Sequence, residues 1–142
     1  MNRKLYIDKN LNKCVNNCDL MKRFINFCAN KLEINCDFKV FVVEDRDHHG
    51  IQTTAYYDPN IKLIKIYGKN RALVDVLRSI AHEMTHMRQD INGEITGPVQ
   101  DIGGYHENQA NAMSGALIKM FAKDDHDGRV IYEGAKINNY KL

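Results

Sequence analysis

The run RALVDVLRSIAHEMTHMRQD, residues 71–90, decides how the rest of the chain is read. Leu73, Leu77, Ile80, Met84, Met87 and Ile91 recur at alternating steps of four and three, which makes one apolar stripe on an α-helix. Asn70 stands where an N-cap belongs. At about 100° per residue, His82 and His86 fall opposite the stripe, on a face shared with Asp75, Ser79 and Gln89. In an ordinary amphipathic helix such a face is solvated. Here, however, two imidazoles stand one turn apart, the spacing at which two side chains reach a single ion. Glu83 lies beside them as a carboxylate able to take a proton from water. That constellation points to hydrolysis by a metal-activated water.

A catalytic tetrahedral zinc takes three protein ligands and leaves one position open, so a third ligand must come from elsewhere. Glu107 is the candidate. It follows a segment rich in turn-formers (Gly93, Gly97-Pro98, Gly103-Gly104) and begins a second helical run that ends near Lys123. On that helix Glu107 aligns with Ala110, Asn111, Ser114 and Ile118. The small residues Ala110, Ser114 and Gly115 permit close approach to the helix of the two histidines. His106 is the alternative ligand.

His82, Glu83 and His86, followed by Glu107 and Asn111 on a later helix, resemble the gluzincin branch of the zincin metallopeptidases. More narrowly, the stretch from about Gln52 to Lys123 resembles small stand-alone zincin-like proteins of bacteriophages, through its blocks IAHEMTHMRQ and GGYHENQANAMSGALI. The resemblance implies one zinc ion on His82, His86 and Glu107, Glu83 as general base, and a peptide or protein substrate whose amide bond is cleaved. It implies further that an edge strand beside the cleft pairs with the extended substrate. Gluzincins usually add a Tyr or His donor for the oxyanion, and Tyr105, Tyr132 and His126 are the candidates. Many of them carry Asp four residues after the ligand Glu. This chain has Asn111, whose amide oxygen can accept from an imidazole N–H but brings no charge.

Two other functions are compatible with the motif. In one, the same three side chains hold zinc as a non-catalytic clamp between two helices and the protein works by binding a partner. Glu83 speaks against this, since a structural site has no use for it. In the other the chain is a SprT-like protease with His106 as third ligand, which would be expected to carry basic or zinc-ribbon extensions.

At 142 residues and 44% hydrophobic content, the chain is expected to form a single domain over 1–142, with 1–18 an N-terminal extension and 124–142 a C-terminal tail. A net charge of +2, spread without a basic block, implies no nucleic-acid partner. No stretch has the length of a membrane span, and no apolar segment follows Arg3 and Lys4. A cytoplasmic protein is the expectation, in the host cytoplasm if phage-encoded. Cys14, Cys18, Cys28 and Cys36 lie away from the motif, without zinc-knuckle spacing, and are expected as free thiols. His48-His49 and the cluster Asp124-Asp125-His126-Asp127-Gly128 read as loop and helix-ending turn.

The expected fold class is α+β, a minimal zincin-like core with a small, mostly antiparallel sheet packed on the HExxH helix and the third-ligand helix. Asp19 is placed as the cap of a first helix reaching Glu33, with Met21, Phe24, Ile25, Cys28 and Leu32 as its apolar stripe. Strands are expected at Phe38–Val43, Thr53–Tyr57 and Ile61–Tyr67, the last two joined by a turn at Asp58-Pro59-Asn60.

Overall fold

The computed structural model describes residues 2–8, 11, 15–45, 54–95 and 104–134. Along them run β1 (Arg3–Ile7), α1 (Val15–Lys31), β2 (Phe38–Val43), β3 (Ala55–Asp58), β4 (Leu63–Tyr67), α2 (Leu73–Ile91), α3 (Tyr105–Asp124) and α4 (His126–Gly134). The class is α+β, with helices packed on one four-stranded sheet of order β1-β2-β4-β3. Strand register places Leu5, Val40, Ile64 and Tyr57 in one row across all four strands. Val40, Ile64 and Tyr57 are buried, and Leu5 packs at their margin. From α1, Met21, Phe24, Ile25 and Cys28 enter the same core, joined by Leu77, Ile80 and Met84 of α2 and Leu117 and Phe121 of α3. At ~25 cal/mol per Å² of apolar surface, this burial is the main term holding α2 in place.

The sheet is mixed, and the expectation of a mostly antiparallel one is corrected. β1 with β2 and β2 with β4 are parallel, and only β3 with β4 is antiparallel. Connectivity is the reason: α1 carries the chain from β1 back to the start of β2, as parallel neighbours require, and the β3–β4 hairpin docks through β4, leaving β3 at an edge. The hairpin turn spans residues 59–62, with the Asp58 carboxylate accepting from the Asn60 N–H at 3.0 Å. Lys62 takes a left-handed φ of 50°. Ile61, expected in a strand, is therefore a turn residue and is exposed.

Four local expectations also change. Asn70 does not cap α2: its φ is 58°, a left-handed turn conformation that Asn tolerates, and Ala72 occupies the N-cap with no side-chain hydrogen bond. Asp19 lies inside α1, which begins at Val15. Arg3–Ile7, assigned to an N-terminal extension, forms the other edge strand, and His126–Gly134, assigned to a tail, is a helix whose Ile131 joins the core. The Asp125 carboxylate accepts from the Gly128 N–H at 2.9 Å, the N-cap to N3 bond that starts a helix. The same residues, read from sequence as a helix-ending turn, thus end α3 and begin α4. His48, His49, Thr53, Cys14, Gly97-Pro98, Gly103 and the end of the tail lie outside the described residues.

Candidate metal centre

Helix α2 is buried on most of its circumference. Leu73, Leu77, Ile80, Met84 and Met87 face the sheet and α1, while Glu83, Thr85, His86 and Gln89 are buried as well. The polar face of α2 that carries the two histidines is covered by α3, as the small residues of the second helix led one to expect, with Ala110 and Ser114 buried there. Small side chains at those positions let the helices approach closely. The far end of α2 is tied to the hairpin by Asp90, which accepts from the Tyr57 hydroxyl and the Lys62 ammonium, both at 2.6 Å. Burial and that carboxylate push the Tyr57 phenol well above its ordinary pKa. The start of α2 is held by Arg71, which donates to the Tyr67 carbonyl at 2.9 Å and to the Ser79 hydroxyl at 2.8 Å.

Between the two helices three side chains converge. His82 Nε2 lies 3.2 Å from His86 Nε2, and the two carboxylate oxygens of Glu107 lie 3.0 Å from His82 Nε2 and 3.0 Å from His86 Nε2. Together these residues form a group able to hold a metal ion. Three ligands on a tetrahedral ion with bonds of about 2.0–2.1 Å stand roughly 3.3 Å apart, so the spacing suits a single ion. His106 lies one residue away on α3 but outside this group. Its carbonyl accepts from the Gln89 amide, and its Nδ1 is buried with no partner among the described residues.

Protons make the case stronger than distance does. The His106 carbonyl can only accept, so Gln89 must turn its amide nitrogen toward it, at 3.0 Å, and toward Gln109 Oε1, at 2.7 Å. Gln89 Oε1 then faces His86 Nδ1 at 2.8 Å and requires a proton there. A neutral His86 with Nδ1–H presents a lone pair at Nε2, directed at a carboxylate oxygen that is also an acceptor. A cation at the common point of the three groups removes this conflict. The geometry therefore fits a metal centre on chemical grounds as well as on spacing.

The electrostatics agree. Burial, the largest influence, lowers the His82 pKa from its ordinary value; the Glu107 carboxylate opposes this and the adjacent His86 reinforces it. A ring that resists protonation keeps a lone pair for a metal. Asn111, one turn after Glu107, is a hydrogen-bond partner of His82 and favours its protonated form. Glu83 is 7% exposed, and no described residue donates a hydrogen bond to it. Burial, with the Glu107 charge added, raises its pKa to about 8. Of the candidate oxyanion donors, Tyr105 is 71% exposed with its ring against His106, His126 is exposed at the start of α4, and Tyr132 packs at the margin of the core. His126 is not in the converging group.

Gln89 and Gln109 are the site residues that sequence reasoning did not single out for a role. Gln89 stands three positions after His86, the spacing at which helix side chains meet, and that was the available signal. Cys18, Cys28 and Cys36 are free, and Cys28 is core packing whose thiol pKa is pushed up by burial. Among the described residues, no helix is long and apolar enough to cross a membrane.

No family model, curated protein or solved structure matches the chain.

Proposed function

We propose that the protein is a zinc-dependent metallopeptidase of gluzincin type, with His82, His86 and Glu107 as ligands and Glu83 as general base. The observation that carries the reading is a buried carboxylate with no hydrogen-bond donor among the described residues, next in sequence to one of three converging ligand residues. When bound, zinc would supply Lewis acidity, lowering the pKa of a water toward about 7 and polarising a carbonyl. Glu83 accepts the proton of that water and hands it to the leaving amine; its pKa, raised to about 8 without metal, would fall beside a bound divalent ion, leaving the carboxylate available as a base near neutral pH. His82 and His86 stay neutral, and Glu107 supplies the charge that partly balances a divalent ion. A clamp function would leave a buried Glu83 unused. β3, as the edge strand on the side of the sheet nearest Asp90 and α2, is the segment on which an extended peptide would be paired.

The test is metal analysis of the purified protein, followed by a cleavage screen comparing wild type with Glu83→Gln. The proposal expects one zinc per chain in both proteins and turnover in wild type only. Turnover retained by Glu83→Gln would remove Glu83 from the mechanism. Stoichiometric zinc with equal inactivity in both proteins across protein, peptide and cell-wall substrates would favour the clamp.

A further inference from the structure

Gln89 is 1% exposed, yet its amide uses three hydrogen bonds on three different partners. Its oxygen accepts from His86 Nδ1 at 2.8 Å, and its nitrogen donates to the His106 carbonyl at 3.0 Å and to Gln109 Oε1 at 2.7 Å. Two of these partners, His106 and Gln109, flank Glu107 near the start of α3. One side chain on the histidine helix therefore grips a ligand on its own helix and the turn that carries the ligand of the other.

We propose that Gln89 is a positioning residue for the metal centre: it holds His86 in the tautomer that turns the Nε2 lone pair inward, and it docks the turn bearing Glu107. The inference rests on the metal-centre reading above. The imidazole alone has no preference for the required tautomer, since either nitrogen can carry the proton. Gln89 Oε1 decides the matter because the His106 carbonyl fixes which end of the amide points to His86. Gln109 completes the lock by accepting the second amide hydrogen, so the Gln89 amide cannot turn over without placing its oxygen against the His106 carbonyl. Asn111 serves His82 from the opposite helix, so each histidine has its own amide partner.

The experiment is a Co2+ titration of the full-length, metal-free protein, followed by the visible absorption of the ion, with Zn2+ competition to obtain affinities. Gln89→Leu preserves size and removes every hydrogen bond; it should weaken binding by ~10–100-fold, the range for loss of a ligand-orienting partner. Gln89→Glu keeps an acceptor against Nδ1–H, and Gln109 can turn its own amide to donate to it. Its second oxygen, however, stands against the His106 carbonyl where the amide nitrogen donated, so this variant should hold the His86 tautomer without docking α3 and recover part of the loss. Gln89→Leu that binds as wild type does, with only its melting temperature lowered, would reduce Gln89 to packing and overturn the proposal. So would Gln89→Glu binding no better than Gln89→Leu. If circular dichroism finds Gln89→Leu unfolded, Gln89→Glu against wild type decides: binding weaker by more than ~100-fold, beyond the effect of a lost orienting partner, overturns it. Failure of wild type itself to take up metal would sink the metal-centre reading, whereas uptake by wild type and Gln89→Leu alike would sink only the role of Gln89.

Discussion

Replacing Glu83 by Gln should make the metal-free protein more stable, and the gain should depend on pH in a defined sense. The folded-state pKa of Glu83 lies above its ordinary value, so folding favours the protonated carboxyl. Stability from this group is complete below about pH 4.5 and is lost as pH rises through about 8. Gln has the shape of the protonated form and nothing to lose. The interval between 4.5 and about 8, at ~1.4 kcal/mol per pH unit, puts the advantage of Gln at about 4 kcal/mol at pH 8 and about 5 kcal/mol at most. For a domain of this size that corresponds to on the order of 10 °C in melting temperature. His82 has a lowered pKa and contributes its own pH dependence on the acid side, but it is common to both proteins and cancels in the difference. Thermal melts of chelator-treated wild type and Glu83→Gln at half-unit steps from pH 4.5 to 8.5 would measure the effect. The curves should meet at the acid end and separate upward. Coincident melting at pH 8, or a difference that grows toward acid, would refute the claim that burial holds this carboxyl in its neutral form.

Zinc at about a thousand times its dissociation constant should stabilise wild type by ~4 kcal/mol, reversed by chelator. Glu107→Ala should abolish the shift in scanning calorimetry while His106→Ala keeps it, and the opposite order would reassign the third ligand. Gly128→Ala should cost ~1–3 kcal/mol by urea denaturation, because a Cβ there would stand 2.6 and 2.7 Å from two ring carbons of Phe121. An unchanged midpoint would mean that α4 does not pack on α3 as described. Asp90→Ala leaves the Tyr57 hydroxyl and Lys62 ammonium without their acceptor and should cost ~1–3 kcal/mol, with Tyr57→Phe costing ~1 kcal/mol. Equal and negligible losses in denaturant titrations would show that the hairpin is not anchored through α2.

What could be read from the chain was what depends on local spacing. The α2 stripe, the pairing of His82 with His86 and the return of Glu107 all follow from a helical period, and the structure has Leu73, Leu77, Ile80, Met84 and Met87 buried and the three ligand candidates together. Period alone reveals which residues share a face, not what lies opposite that face. The cover of α2 by α3 therefore rests on the small residues Ala110 and Ser114 of the second helix, and the partners that Gln89 meets there are not legible from the period. Sheet order was illegible for a related reason: β2, β3 and β4 are consecutive, and nothing in their residues says that β2 pairs with β4. β1 was missed because Arg3 and Lys4 begin a short strand whose outward side chains are polar or aromatic. α4 was missed because Asp125 serves equally well as a turn residue and as an N-cap, and only its bond to the Gly128 N–H distinguishes the two.

Two imidazoles and the Glu107 carboxylate converge between α2 and α3, the buried Glu83 carboxyl feels the Glu107 charge, and without a cation the ionised arrangements of these groups are each opposed. Ionising both Glu83 and Glu107 sets like charges against each other, which is part of why the Glu83 pKa is raised. Protonating His82 to match Glu107 is opposed by burial and by His86. Directing both Nε2 protons toward Glu107 would set two N–H groups against each other across 3.2 Å. Each of these costs would be relieved by one positive ion at the shared point, so a bound metal would add to the stability of α2 against α3. Glu83 should respond in the same way, its pKa falling as a divalent charge arrives nearby. The stability advantage of Glu83→Gln should therefore shrink when zinc is added at pH 8, and the amount by which it shrinks measures the coupling between the proposed base and the ion.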